Sequence, residues 1–306
     1  MAILRSSIGN HTLHLPSRCL VGRSPHSDLA LTDERVSWEH ARLSWTGRAW
    51  ELRDLASSNG TFIDGQRLSQ GRAVDIHAGM ALSFGHARDG WLVETVDPPT
   101  ISARADDNGE VRVGEDGLLV LPSDNQPLLT IYRDLRGGWV AENHAGTLEV
   151  SDMGRVECAG RQWRVRLPDI AVSTLTMGKR AVMLQDLTFR FDVSKDEEQI
   201  ALDILLEHDL LAHAESVYNY LLLTLARQRL ADLELPEVLD SDRGWIYRDD
   251  LCRMLLLDND QLNMHVFRAR KLLSGKGVSG AAHLVERRPL THQLRLGTSR
   301  VEIAQA

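Results

Sequence analysis

From Met1 to about Asp97 apolar and polar residues alternate in short runs, cut by turn signals at Gly9-Asn10, Ser57-Ser58-Asn59-Gly60, Asp64-Gly65 and Asp89-Gly90. Strands so closely spaced, with no helical period between them, predict an all-β sandwich. Pro98-Pro99 then marks a boundary. Strand-like runs continue at 117–121, 128–132 and 162–167, with turns at Asp107-Asn108-Gly109, Asp116-Gly117 and Gly137-Gly138. Residues 98–180 therefore read as a second β-rich module, without a chemistry that its residues name. Its Gly160-Arg161-Gln162-Trp163 echoes Gly47-Arg48-Ala49-Trp50, a pattern that hairpins share.

After residue 181 the period changes. Two strand-like pieces, 187–193 and 199–205, precede a helix expected over 214–230, where Val217, Leu221 and Leu225 recur at four-residue spacing beside Tyr218, Leu222 and Ala226. Leu235-Pro236 ends it. A short helix over 248–257 carries Asp249 and Asp250 in its first turn, which suits the positive end of the helix dipole. A third helix over 261–273 follows the turn Asp258-Asn259-Asp260. A hairpin, 285–287 with 293–296 around Pro289, completes the pattern. Three helices and a hairpin in this order are those of an α+β winged helix, with the third helix in the recognition position.

At 306 residues and 43% hydrophobic composition the chain can bury more than one core, so a multidomain protein with modules at 1–97, 98–180 and 181–306 is expected. Its net charge of −8 excludes a general polyanion binder. Three distant cysteines, Cys19, Cys158 and Cys252, form no disulfide framework and fit a reducing compartment. The opening residues lack the apolar core of a secretory signal, and no apolar run is long enough to span a bilayer. A cytoplasmic protein without membrane contact is expected.

Three motifs in the first module occur in a fixed order: Val21-Gly22-Arg23, Val36-Ser37-Trp38-Glu39-His40-Ala41, and Ser58-Asn59-Gly60-Thr61-Phe62-Ile63-Asp64-Gly65. A phosphothreonine offers a dianion with three acceptor oxygens. Arg23 can supply a fork of donors suited to phosphate, and Ser37 a short neutral donor. Asn59 carries both donor and acceptor and can grip a peptide main chain. The ordered triplet resembles the forkhead-associated (FHA) domain, from about residue 20 to residue 85. That resemblance implies phosphothreonine-peptide binding by Arg23, Ser37, Ser58 and Asn59, with His40 bracing loops. Trp38 departs from the Arg or Asn usual at its position and places an indole at the pocket rim. Gly79-Met80 replaces the family's Gly-Asp. The alternative is a sandwich that keeps these turns without binding a phosphopeptide.

The last module is acidic as a whole, yet residues 263–300 hold eight basic residues against the single acid Glu286, a local net charge of +7. A basic face on an acidic body is what contact with a phosphate backbone requires. On the third helix Leu262, Val266, Ala269 and Leu273 form the expected buried stripe, whereas Met264, Arg268 and Lys271, flanked by Phe267, point away. Arg287 and Arg288 lie near the hairpin tip. The runs Trp245-Ile-Tyr-Arg-Asp-Asp-Leu-Cys-Arg-Met-Leu and Asn263-Met-His-Val-Phe-Arg-Ala-Arg-Lys-Leu-Leu resemble the OmpR-type winged helix of response regulators. That resemblance places His265, Arg268 and Arg270 at DNA-contacting positions. Met264, Lys271, Arg287 and Arg288 complete the expected DNA surface. The loop before the third helix is shorter than in that family, and the wing lacks its glycine-rich approach to the final strand. The alternative is a winged helix that contacts protein, for which exposed Met264 and Phe267 would serve.

Twelve histidines form no metal-ligand spacing, and no nucleotide or nucleophile motif occurs, so no enzyme, cofactor or metal is expected. The expected whole is a bacterial signalling protein that reads a phosphothreonine-containing partner made by a Ser/Thr kinase and acts on double-stranded DNA. The alternative is a protein–protein adaptor that touches no DNA.

Overall fold

The structure, a computed structural model, describes residues 1–9, 11–87, 90–168, 182–288 and 291–305. The expected turn residues Asn10, Asp89 and Pro289 and the expected boundary at 180–181 lie outside them. Two compact units emerge, one containing Met1–Thr100 and the other Ile101–Val165 with the C-terminal chain. Where three modules are expected, the second β-rich segment and the helical segment are thus one unit.

Among the described residues the first unit is a sandwich of two sheets. One orders its strands Thr12–His14, Ile3–Ser6, Trp91–Thr95, Ala81–Phe84, Thr61–Ile63, Gln66–Arg67; the other Leu29–Ala30, Arg18–Gly22, Ala41–Trp45, Trp50–Asp54, Ala73–Asp75. Alternation decides which side chains face inward: Leu43 and Leu52 pair across neighbouring strands, and both are fully buried. They join Leu4, Val21, Trp50, Leu82 and Val93 in one apolar core between the sheets.

The second unit begins with two four-stranded sheets. One runs Val111–Val113, Ser102–Ala105, Arg161–Arg166, Arg155–Cys158; the other Leu119–Ser123, Gln126–Arg133, Trp139–Asn143, Gly146–Glu149. The central strands of the latter sheet, Gln126–Arg133 and Trp139–Asn143, are buried on both faces. Leu129, Ile131 and Ala141 are buried on one face, and Thr130, Tyr132, Val140 and Glu142 on the other.

The C-terminal part of this unit opens with a third sheet, ordered Asp209–Glu215, Ile200–Leu206, Leu187–Val193, Val301–Gln305, the last strand running parallel to its neighbour. The strand Asp209–Glu215 takes in, at its end, the two residues Ala214 and Glu215 expected to begin the first helix. Ala212 and Ala214 alternate inward with His213 and Glu215 outward, a period of two that holds until Ser216. Helix α1 therefore spans Tyr218–Leu233, with buried Asn219 donating to the Ile200 and Ala214 carbonyls to tie helix to sheet. Val217 lies outside it and is exposed.

Helix α2 spans Arg248–Leu255. Helix α3 spans Asn259–Ser274 and starts earlier than its apolar period suggests, because Asp258 caps it. The Asp258 carboxylate accepts from the Gln261 N–H at 2.7 Å, and the Gln261 side chain accepts from the Asp258 N–H at 2.9 Å. Strands Val285–Arg288 and Gln293–Leu296 pair as a hairpin, with Ile246–Tyr247 added to its second strand. Leu262, Val266, Ala269 and Leu273 of α3 sit in the core with Leu221, Leu225 and Leu251.

Candidate functional site

At one end of the first unit's sandwich three loops converge on residues 35–37. The Arg23 N–H donates to the Ser37 carbonyl at 2.9 Å, and Arg23 Nε donates to the Val36 carbonyl at 3.2 Å. Arg23 is otherwise exposed, so the rest of its donor fork is engaged by nothing among the described residues. Ser37 Oγ accepts from the Ser58 N–H at 3.0 Å, which leaves its own O–H to donate. Asn59 Nδ2 donates to the Arg35 carbonyl at 2.8 Å, and its carboxamide oxygen stays available on an exposed side chain. Arg23, Ser37, Ser58 and Asn59 are thus brought together. Trp38 stands beside them, 57% exposed, its carbonyl accepting from the Ser24 N–H at 3.1 Å.

Buried His40 holds the arrangement from beneath. Its Nδ1 accepts from the Ser37 N–H at 3.0 Å, so the proton sits on Nε2, which donates to the Gly60 carbonyl at 3.1 Å. Burial pushes the imidazole below its ordinary pKa, keeping it neutral and able to accept. The loop-bracing role that the resemblance implies for His40 is the geometry seen.

Two supports escaped the sequence reading. Asp54, buried at the end of its strand, accepts from the Ser57 N–H at 2.9 Å and from the Ser57 and Thr61 hydroxyls at 2.6 Å each. Burial alone would raise its pKa, but these donors outweigh it and hold the carboxylate ionised. Ser57 Oγ in turn accepts from the Gly60 N–H at 3.0 Å. An Asp three residues before a Ser, at a strand end, was the available signal. The second support is a close backbone approach: a Cβ at Gly22 would lie 2.2 Å from the Trp38 carbonyl oxygen. At Gly60, φ is +93° and a Cβ would lie 2.4 Å from Arg67 Nε.

In the second unit the expected DNA-contacting residues are dispersed. Arg268 is exposed, and with Met264 and His265 it lines a groove of about 640 Å³ whose other wall includes Asn125 and Gln126. Burial, then Arg268, keeps the His265 imidazole below its ordinary pKa. Arg270 is 1% exposed, and its guanidinium donates to Glu142 at 2.8 and 3.2 Å and to the Val285 carbonyl at 2.6 Å. Arg287 donates to the same carboxylate at 3.0 Å and to Asn263 Oδ1 at 2.8 Å. Lys271 pairs with Asp124 at 2.9 Å and Glu115 at 3.1 Å, and Arg288 with Asp242 at 2.5 Å. The expectation of a free positive face is therefore corrected for Arg270 and Arg287, whose charges are buried against Glu142. Phe267, expected to be exposed, is buried too. Much of the charge counted as +7 in isolation meets counter-charges elsewhere in the chain, in the strand that holds Glu142 and in the turns that hold Glu115, Asp124 and Asp242.

Residues 19–85 match the FHA domain family model, and an FHA domain is part of this chain. The FHA domain-containing protein FhaB of Mycolicibacterium smegmatis is 38% identical over 78 residues, which are 26% of this chain and 46% of that protein. FhaB of Mycobacterium tuberculosis is 44% identical over 66 residues, 22% of this chain and 41% of that protein. The chain thus spans less than half the length of the curated relatives it matches. Among solved structures, Mycobacterium tuberculosis EmbR in complex with a low affinity phosphopeptide matches at 23% identity, with a TM-score of 0.29, over 32% of this chain and 25% of that one. Among the described residues no helix is long and apolar enough to cross a membrane.

Proposed function

We propose that the first unit binds phosphothreonine peptides, making the chain a reader of Ser/Thr kinase output. The carrying observation is that Arg23, Ser58 and Asn59 are all tied by hydrogen bonds to the single stretch 35–37, which contains Ser37, while Arg23, Ser37 and Asn59 keep donors or acceptors for a ligand. Arg23 and the Ser37 hydroxyl serve the phosphate, Ser58 adds a second hydroxyl, and Asn59 grips the peptide main chain. Trp38 contributes a rim that favours a flat or apolar flanking residue. Calorimetric titration with a phosphothreonine peptide library tests this reading. Binding that disappears on dephosphorylation and in Arg23→Ala supports it; binding indifferent to either change overturns it.

For the second unit we propose a winged helix that contacts duplex DNA through α3, a reading favoured by the helix–helix–helix–hairpin order and by exposed Arg268 and Lys276. The adaptor reading is favoured by a different observation, the burial of Arg270, which withdraws one expected DNA contact. Salt decides between them: affinity for duplex DNA should fall steeply with ionic strength, whereas apolar protein contact should not.

A further inference from the structure

Helix α3 is buried on two faces. Besides the stripe that enters the C-terminal core, Asn263, Phe267, Arg270 and Ser274 recur at helical spacing and are all buried. This second face meets the strand Gln126–Arg133. The contact is mainly ionic. The Glu142 carboxylate holds both Arg270 and Arg287 and accepts from the Tyr132 hydroxyl at 2.8 Å. Asp124 and Glu115 hold Lys271 at the margin. The apolar cluster joining the two parts is small: Leu118, Tyr132 and Val140 with Ala282. Open grooves flank the contact, one with Asn125, Met264 and Arg268 in its walls, the other with Asn143, Asn259 and Asn263.

Packing alone does not account for this chemistry. One carboxylate faces two guanidiniums, so the cluster buries a net positive charge, and Arg270 Nε finds no partner among the described residues. A permanent core gains as much or more from apolar side chains of similar volume.

We infer that the sheet Leu119–Ser123, Gln126–Arg133, Trp139–Asn143 is an intramolecular stand-in for nucleic-acid phosphate, and that Glu142, Asp124 and Glu115 latch α3 in a state that excludes duplex DNA. The inference rests on the reading of α3 as a DNA-contacting helix. A guanidinium engaged bidentately by a carboxylate cannot engage phosphate or a base edge at the same time, so sheet and duplex compete for one surface. Opening the latch uncovers Arg270 and Lys271 of α3 together with Arg287 of the hairpin, which turns a weakly cationic surface into one with several phosphate contacts.

The test uses the full chain as wild type, as Glu142→Gln, and as the marginal double variant Asp124→Asn with Glu115→Gln. The probe is a labelled random-sequence duplex, titrated at two salt concentrations, with hydrogen exchange followed at 262–274. Glu142→Gln should expose α3 to exchange and bind duplex at least about ten-fold more tightly than wild type, with a steeper salt slope. The marginal double variant should show the same direction with a smaller gain. Its carboxylates are partly exposed, 46% for Asp124 and 71% for Glu115, so it carries the test if Glu142→Gln fails to fold. Wild type binding as tightly as the variants overturns the latch and leaves the DNA reading standing. Variants whose α3 exchanges freely yet bind no duplex overturn both.

Discussion

Two regions of this chain carry cations suited to phosphate, and they are built in opposite ways. In the FHA domain the Arg23 guanidinium spends one donor on a backbone carbonyl and offers the rest outward. Around α3 the guanidiniums of Arg270 and Arg287 spend their donors on the chain's own carboxylate and are withdrawn from solvent. A backbone carbonyl holds the Arg23 guanidinium, and the Asp54 carboxylate beneath the loops is engaged by Ser57 and Thr61, so among the described residues the charge of Arg23 meets no counter-ion. Carboxylates position the second, so much of its charge is already answered. A count of basic residues cannot tell these cases apart; the identity of the partners does.

The largest expected effect that sharpens this contrast comes from Glu142→Ala, which leaves two buried guanidiniums without a counter-ion. The loss should be about 3–5 kcal/mol, read as faster amide exchange at 262–274. Exchange left at the wild-type rate would break the comparison. A smaller effect is expected in the first site from Gly60→Ala, where a left-handed backbone meets the Arg67 side chain. It should cost about 1–3 kcal/mol in unfolding of the first unit and weaken phosphopeptide binding with it. A Gly60→Ala protein with unaltered unfolding would show that the loop carries no such constraint.

Acid separates the regions further. His40 is held below its ordinary pKa, so its contribution is complete above about pH 6.5 and is lost as pH falls from there through the lowered value. Burial raises the Glu142 pKa, but Arg270 and Arg287 outweigh it and hold the carboxyl below its ordinary range. Its contribution is complete above about pH 4.3 and is lost only as pH falls through that depressed value. On acid titration the first unit should therefore weaken before the α3 contact opens, as followed by hydrogen exchange in each. The reverse order would contradict both assignments. The smallest expected effect is at the rim. Trp38→Arg should alter which flanking residues a peptide library selects by about 1 kcal/mol or less, with phosphate dependence retained.

The first region was legible because its signals are local. Arg23, Ser37, Ser58 and Asn59 each lie in a short motif with its own turn, and the site needs only the order of those motifs. Asp54 was not read, because its partners Ser57 and Thr61 look like ordinary loop residues until the strand end buries the carboxylate. In the second unit the buried stripe of α3 followed from its period, and the Asp258 cap extended the helix by two residues. The strand Asp209–Glu215 has no sequence signal of its own before Ala212, and its last two residues, Ala214 and Glu215, serve equally as a helix start. The fate of Arg270 was unreadable in principle: Glu142 lies 128 residues away, in a strand whose only clue is a carboxylate within a run buried on both faces.

Titration of the same wild-type chain with a phosphothreonine peptide and with duplex DNA, in identical buffer, decides whether Arg23 is open to a ligand while Arg270 and Arg287 are occupied. Saturable, phosphate-dependent peptide binding is expected, with only weak duplex binding until Glu142 is substituted. Tight, salt-sensitive duplex binding by wild type, with no response to the phosphopeptide, would contradict it.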